Sequence, residues 1–299
     1  MKDFAGRTAF VTGGANGVGI GLVRALLAQG CNVAMADIRP ASIEAALRAL
    51  DNPRAMGVEA DVSSRRDLAR AAEAVEAKFG VVSLLFNNAG VNLFQTIEES
   101  SYDDWDWLMG VNLHGPINGV MTFVPRMIRA GQGGYVVNTA SMAGFLAAGV
   151  CGIYNTSKFA VRGLSESLRA SLAPHGIGVS VLCPGLVKSY IYASEEVRPA
   201  ALRAGAKPVN TENAKRLAQV HEFGMEPDVI ATRVLEAIAE DRFHIFTHPE
   251  FKDELGEVFG EIMQDFRDYP VDPGHGQRTD FEKTRRESYR KQRRGLKAS

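Results

Sequence analysis

Tyr154 and Lys158 stand four residues apart in a stretch, Gly152 to Leu172, with few helix breakers. On a helix this spacing puts both side chains on one face, one turn apart, so that a phenol lies beside an ammonium. The pairing has a chemical use. An unperturbed tyrosine titrates near pH 10 and is a poor proton acceptor at neutrality. A positive charge roughly 4 Å away, at an effective dielectric of about 20, is worth on the order of 4 kcal/mol to the phenolate. At about 1.4 kcal/mol per pKa unit, that is enough to bring the phenol near a working range, although burial opposes the shift by disfavouring phenolate. Y-x-x-x-K by itself occurs on many helices, so its meaning depends on what the rest of the chain sets around it.

Near the N-terminus, Thr8 to Val11 is a short β-prone run. It leads into Thr12-Gly13-Gly14-Ala15-Asn16-Gly17-Val18-Gly19, and a helical pattern follows through Leu22, Val23, Leu26 and Leu27. Strand, glycine turn, helix is the context a phosphate-binding loop requires: the glycines let the backbone approach a pyrophosphate, whose charge then meets the positive end of a helix. The spacing is G-x-x-x-G-x-G rather than the usual G-x-G-x-x-G. A second strand, Asn32 to Ala36, ends at Asp37, twenty residues after Gly17. An acid there accepts hydrogen bonds from both ribose hydroxyls of an adenosine and repels a 2′-phosphate, so NAD is expected over NADP. Arg39 is the dissenting charge, and the bland use of Asp37 is as the cap of a helix over Ala41 to Leu50.

The alternation continues with a strand at Ala55 to Glu59 ending at Asp61-Val62, and a helix at Ser64 to Phe79. A buried strand at Val81 to Phe86 then meets the turn Asn87-Asn88-Ala89-Gly90. Repeats of this length predict an α/β protein with a parallel sheet, helices on both faces, and a ligand across the carboxyl ends of the strands. Asp61 and the 87–90 turn fall at such ends. Ser101 to Ala130 is a long helical stretch interrupted by Gly110, Gly115, Pro116 and Pro125, and Asn112 lies inside it, where it could hold a local irregularity. Gly134 to Thr139 is another strand, with Ser141 just beyond its end.

The 299 residues carry 45% hydrophobic and 23% charged side chains and a net charge of −1, an ordinary globular composition that makes no general case for nucleic acid or membrane binding. The charge is uneven, since residues 272–299 hold nine Lys/Arg against four acids, which leaves −6 on the remainder. Cys31, Cys151 and Cys183 have no metal-like spacing, no secretory leader pattern opens the chain, and no apolar run is long enough to span a bilayer. The expected location is the cytoplasm.

Taken in order, Thr12-Gly13-x-x-x-Gly17-x-Gly19, Asp61-Val62, Asn87-Asn88-Ala89-Gly90, Asn112, Ser141, Tyr154-x-x-x-Lys158 and Pro184-Gly185 resemble the short-chain dehydrogenase/reductase family, from about residue 5 to residue 248. The resemblance implies a single-domain Rossmann fold with a doubly wound, seven-stranded parallel sheet, an NAD(P)-dependent alcohol/ketone chemistry and a homodimer or homotetramer. It assigns Tyr154 as the acid/base, Ser141 as the group that orients the substrate oxygen, and Lys158 as the cation that tunes Tyr154 and holds the nicotinamide ribose. Asn112 would position a water for proton relay. Cofactor contacts would come from Gly13, Asn16, Gly17, Val18, Gly19, Asp37, Asp61, Val62, Asn88, Ala89 and Gly90. On the nicotinamide side they would come from Tyr154, Lys158, Pro184, Gly185, Val187 and Ser189, the last standing where the family has Thr. No metal is expected.

Between Ser189 and Pro227 the strand and helix alternation pauses. In the family such a segment covers the substrate, which divides the chain into a dehydrogenase domain over 1–268 with a lid at about 189–226, and a basic tail over 269–299. Tyr190, Ile191 and Tyr192 in the lid, with Phe94, Met142 and Phe145 at other strand ends, suggest an aryl or bulky apolar substrate; Cys151 is expected to line the same pocket, and His221 is a further candidate contact. Val111 to Arg129, Glu212 to Pro227 and His248-Pro249-Glu250 are similar, more loosely, to bacterial Cα-dehydrogenases that oxidise the benzylic alcohol of lignin-derived β-aryl ethers. The alternatives are an NADP-dependent carbonyl reductase and a non-catalytic nicotinamide-binding regulator, which would not need Ser141, Tyr154 and Lys158 together. A last helix over Glu250 to Phe266 should turn Phe251, Leu255, Val258, Phe259 and Ile262 to one side. Pro270 to Gly276 reads as a linker, and the tail beyond as a solvated or subunit-packing segment.

Overall fold

The fold is given by a computed structural model that describes residues 3–206 and 211–293. Seven parallel strands in the order 3-2-1-4-5-6-7 form one sheet, and the half of the chain that builds the cofactor side comes first. It runs β1 (Thr8–Thr12), α1 (Gly17–Ala28), β2 (Asn32–Asp37), α2 (Pro40–Leu50), β3 (Ala55–Glu59), α3 (Arg65–Phe79) and β4 (Val82–Asn87). The second half runs α4 (Tyr102–Met109), α5 (Gly115–Ala130), β5 (Gly134–Thr139), α6 (Gly152–Leu172), β6 (Ile177–Cys183), α7 (Thr211–Glu222), α8 (Pro227–Ala239), β7 (His244–Phe246), α9 (Lys252–Gln264) and α10 (His275–Arg293). Order reverses at β1 and β4, which opens a crevice at their carboxyl ends.

The central strands are buried on both sides because helices cover both faces. Leu22, Val23, Ile43, Ile230 and Val234 of α1, α2 and α8 close one core. Leu68, Val75, Phe123, Met127 and Leu172 of α3, α5 and α6 close the other. Local signals fix the ends of these helices. Ser64 accepts the Asp67 N–H at 3.2 Å to start α3, and Gly80, at φ 78°, ends it in a conformation that only glycine adopts cheaply. Asp37 is not a cap: α2 starts at Pro40, directly after Arg39, with no side-chain cap.

β6 and β7 escaped the sequence reading, the latter because three residues give no periodicity to detect. The long helix foreseen over 101–130 is two helices joined by a π-helical turn at Gly110–His114. The final helix forms, and its Leu255 packs against the cluster around Phe145, but Phe259 and Ile262 are 43% and 52% exposed, so part of its apolar side is left uncovered. The basic tail is helical over His275–Arg293 and touches α6, with most of its side chains over 275–292 in solvent. Residues 207–210, inside the expected lid, and 294–299, at the end of the tail, lie outside the described residues.

Candidate active site

β1 delivers the chain to Gly13, whose φ of 61° suits glycine and whose Cβ, were there one, would stand 2.9 Å from the Ala89 Cα. A side chain on Gly19 would stand 2.0 Å from the Gly13 carbonyl oxygen. Thr12 ties this turn to the next strand end: its hydroxyl accepts the Asn88 and Ala89 N–H groups at 2.9 and 3.0 Å, and Asn88 Nδ2 donates to the Thr12 carbonyl at 3.1 Å. The amino end of α1 faces the crevice, with no acid in its first turn. Asn16 Nδ2, buried beside it, has no hydrogen-bond partner.

At the end of β2, Asp37 is 8% exposed. Its Oδ1 accepts the Arg39 N–H at 3.2 Å and lies 3.6 Å from the Arg39 guanidinium. Asp61 Oδ1 is held by the Ser63 N–H and hydroxyl at 2.8 and 2.7 Å.

The reacting end is assembled around Gly90, where a Cβ would be 3.4 Å from Asn112 Oδ1 and 3.5 Å from Lys158 Nζ. Asn112 sits in the π-helical turn. Its side chain accepts the Val91 N–H at 2.8 Å and donates to the Val91 carbonyl at 2.9 Å and to Ser157 Oγ at 3.1 Å. Ser141 leaves β5 and begins a short 3₁₀ turn; its hydroxyl accepts the Ala143 N–H at 3.1 Å and donates to the Pro184 carbonyl at 3.4 Å. On α6, Lys158 is 3% exposed and its ammonium donates to the Thr139 carbonyl at 2.9 Å, 5.4 Å from the centre of the Tyr154 ring.

Burial pushes the Tyr154 phenol up to about 12, against a hydrogen bond with Ser141 that lowers it, with a further small rise from Cys151. Burial also brings Lys158 down to about 8, partly countered by Cys183. The net tuning of the phenol is thus opposite to the sequence expectation, because desolvation acts on both members of the pair.

A single cavity of about 630 Å³ joins these groups. It is lined by Gly13, Asn16, Gly17, Val18, Asp37, Asp61, Val62, Asn88, Ala89 and Gly90 at one end. Ser141, Tyr154, Lys158, Pro184, Gly185, Val187 and Ser189 line the other. Gly19 and Asn112 are not on the wall but lie behind it. Phe94, Met142 and Cys151 line the cavity as expected, but Phe145 does not: it turns away, with the Arg162 guanidinium 4.0 Å from its ring. Burial raises the Cys151 thiol, with Asn92 pulling it back, so it stays protonated at neutral pH. His221 lines the cavity and packs at a tilt against the Tyr192 ring, 5.4 Å between centres, while its Nδ1 pairs with the Val187 carbonyl at 2.8 Å.

Two features could not be placed at the site from period or spacing. Trp107 and Leu146 add apolar wall, and His248 clamps the 184–187 loop, its Nδ1 accepting the Gly185 N–H at 2.9 Å and its Nε2 pairing with the Leu186 carbonyl at 2.9 Å.

The residues present fit a nicotinamide dinucleotide: a side-chain-free glycine turn at a helix amino end, an unpaired Asn16 amide donor beside it, and an acid at the next strand end. Sheet order, glycine turn and the serine, tyrosine and lysine in one cleft define a dinucleotide-dependent oxidoreductase of the Rossmann type. The chain belongs to the short chain dehydrogenase family, whose model matches residues 7–198, and it is an oxidoreductase acting on CH–OH groups. It is 38% identical over 276 residues to the C alpha-dehydrogenase of Sphingobium sp. strain SYK-6, covering 91% of this chain and 90% of that one. A Novosphingobium aromaticivorans structure described as a short-chain dehydrogenase shares 60% identity at a TM-score of 0.87, over 99% of this chain and 100% of that one. A short chain dehydrogenase/reductase from Burkholderia phymatum, in complex with NAD, shares 36% identity at a TM-score of 0.84, over 91% and 100%. Among the described residues no helix is long and apolar enough to cross a membrane, and no cluster of His, Cys, Asp and Glu could hold a metal.

Proposed function

We propose that this chain is an NAD-dependent dehydrogenase that interconverts a neutral secondary alcohol carrying an aryl or other bulky apolar group and the corresponding ketone. The observation that carries this reading is the cavity itself, with Asp37 at one end and the Ser141, Tyr154 and Lys158 cluster against an apolar wall at the other. Asp37 favours a free ribose over a phosphorylated one. Besides Lys158 and Arg39, no Lys or Arg among the described residues lines the cavity, and Arg39 belongs to the Asp37 end. A substrate carboxylate would therefore find no Lys or Arg beyond the Lys158 of the reacting cluster, whereas Phe94, Trp107, Met142 and Leu146 suit a ring. The relationship to a C alpha-dehydrogenase agrees with a benzylic position.

The bound dinucleotide supplies the hydride acceptor or donor. The chain's part is to place the substrate oxygen between the Ser141 and Tyr154 hydroxyls and to move one proton. In oxidation, Tyr154 takes the proton from the alcohol while Lys158, held by Thr139, supplies the positive charge that offsets the burial of a phenolate. Asn112 opens the turn behind Gly90 and fixes Val91, which keeps the wall at this point in register. The protein is expected to work as a cytoplasmic homodimer or homotetramer, for which the uncovered apolar side of α9 gives a reason.

Incubation with NAD and a panel of benzylic alcohols, followed by the absorbance of the reduced nicotinamide, tests the reading. Turnover that falls by roughly 10²–10⁴-fold in Tyr154→Phe with cofactor binding intact supports it; unchanged turnover in that variant, or none on any alcohol in the wild type, defeats it.

A further inference from the structure

The segment over the substrate end, Ile191–Val197 followed by Ala200–Leu202, is fastened to the body by buried polar groups. Ser194 Oγ accepts the Asn92 N–H at 3.0 Å and donates to the Ile191 carbonyl at 2.6 Å. Arg198 forms the larger anchor. Its side chain is 1% exposed, as is that of Asp104 on α4. Nη2 donates to Asp104 Oδ1 and, at 2.8 Å, to Glu195 Oε1. Nε donates to Glu195 Oε2 at 3.0 Å, and Nη1 to the Leu202 carbonyl at 2.9 Å. The guanidinium also stands 4.5 Å from a ring centre of Trp107.

Asp104 is itself immobilised. Its Oδ2 accepts the Ser101 N–H at 2.7 Å within a capping box, and the Gln95 amide at 2.9 Å. Burial pushes this carboxyl up, but the hydrogen bonds from Ser101, Arg198 and Gln95 outweigh it and leave it ionised below the ordinary carboxylate range.

A buried ion pair adds little net stability compared with apolar side chains of the same size, yet its directional bonds tolerate little displacement. What this pair holds is the substrate wall. Trp107, Val197 and Leu202 line the cavity and share a packed cluster with Tyr154, and Arg198 touches or adjoins all three.

We propose that Arg198 is a specificity-determining positioning residue: by joining Glu195 and the Leu202 carbonyl to Asp104 above Trp107, it fixes the Trp107–Val197–Leu202 wall before a substrate arrives. Bulky apolar alcohols are then selected by a preformed wall rather than by closure around them. This rests on the alcohol dehydrogenase reading for its substrate but not for its geometry. A lid ordered in advance lowers the cost of binding a large ligand and gives a small one no means of drawing the wall inwards.

The test uses the full chain with Arg198→Met/Asp104→Leu, which removes both fully buried charges and leaves only the 23%-exposed Glu195 without its partner, and Arg198→Lys, which keeps the charge but loses the fork. Backbone hydrogen exchange across 190–203 without ligand should be slow in the wild type and at least about tenfold faster in both variants. KM for a benzylic alcohol should rise by about tenfold with kcat changed by less than roughly twofold, while kcat/KM for 2-propanol stays level or rises. Affinity for NAD, read by fluorescence titration, should stay within about twofold, because Arg198 is not on the cavity wall. Unchanged exchange, or an unchanged preference for the benzylic alcohol, with NAD binding intact overturns the proposal. If the double variant does not bind NAD, Arg198→Lys decides by the same criteria. If the wild type oxidises no alcohol, the assigned function fails and the exchange rates alone decide whether Arg198 fixes the wall.

Discussion

Lys158 Nζ lies 5.4 Å from the centre of the Tyr154 ring but gives its hydrogen bond to the Thr139 carbonyl, 2.9 Å away. The lysine is thus held by β5 rather than by the tyrosine, and its charge reaches the phenol through space, in a site where burial opposes both charged forms.

This arrangement predicts a pH profile. In the proposed mechanism oxidation needs Tyr154 deprotonated and Lys158 protonated, while burial sets the phenol at about 12 and the ammonium at about 8. The product of the two populations rises about tenfold per pH unit below about 8 and levels off above it, where each gain in phenolate is matched by a loss of ammonium. Measured kcat/KM for alcohol oxidation should therefore climb through neutrality and bend near pH 8. Lys158→Met should lower the rate and abolish the bend; a bend that survives belongs to another group.

In the proposed function Asp37 would set the cofactor preference by repelling a 2′-phosphate, while Arg39, 3.6 Å away, is the charge that could pair with one. Asp37→Ser should weaken NAD and strengthen NADP, moving the ratio of their dissociation constants by about tenfold or more toward NADP. Adding Arg39→Ala should remove most of that gain. Titration of both nucleotides against the variants checks this.

Asn112→Ala would strand the Val91 N–H and carbonyl, which the asparagine side chain answers at 2.8 and 2.9 Å. Denaturant unfolding should show a loss of about 1–3 kcal/mol, and the turnover should drop with it, since Val91 adjoins the Gly90 approach to Lys158. Loss of stability without loss of turnover would make Asn112 a structural residue only.

Far from the cavity, Arg169 on α6 grips Asp241 through both terminal nitrogens, at 3.0 and 3.1 Å, with the Tyr135 hydroxyl adding a bond at 3.0 Å. Arg169→Met leaves Asp241 buried without a counter-charge, held only by the Tyr135 hydroxyl, and should cost about 3–5 kcal/mol in urea unfolding. Arg169→Met/Asp241→Leu should recover a large part of it. Equal losses in both variants would show that packing, not charge, is responsible.

The local chemistry was legible in the chain alone. The glycine turn, the acid ending the second strand, the alternation that forms a parallel sheet, and the helix bearing Tyr154 and Lys158 depend on period, breakers and spacing, which neighbouring residues in the chain determine. Even the irregular turn at Asn112 was signalled by its Gly and Pro neighbours. The tertiary structure decided what burial does. It raised the phenol the sequence expected to be lowered, turned Phe145 away from the cavity, placed His248 behind the 184–187 loop, and brought Arg198 to Asp104 across 94 positions. None of these is visible from spacing, because desolvation and buried pairing depend on which distant segments the fold packs together.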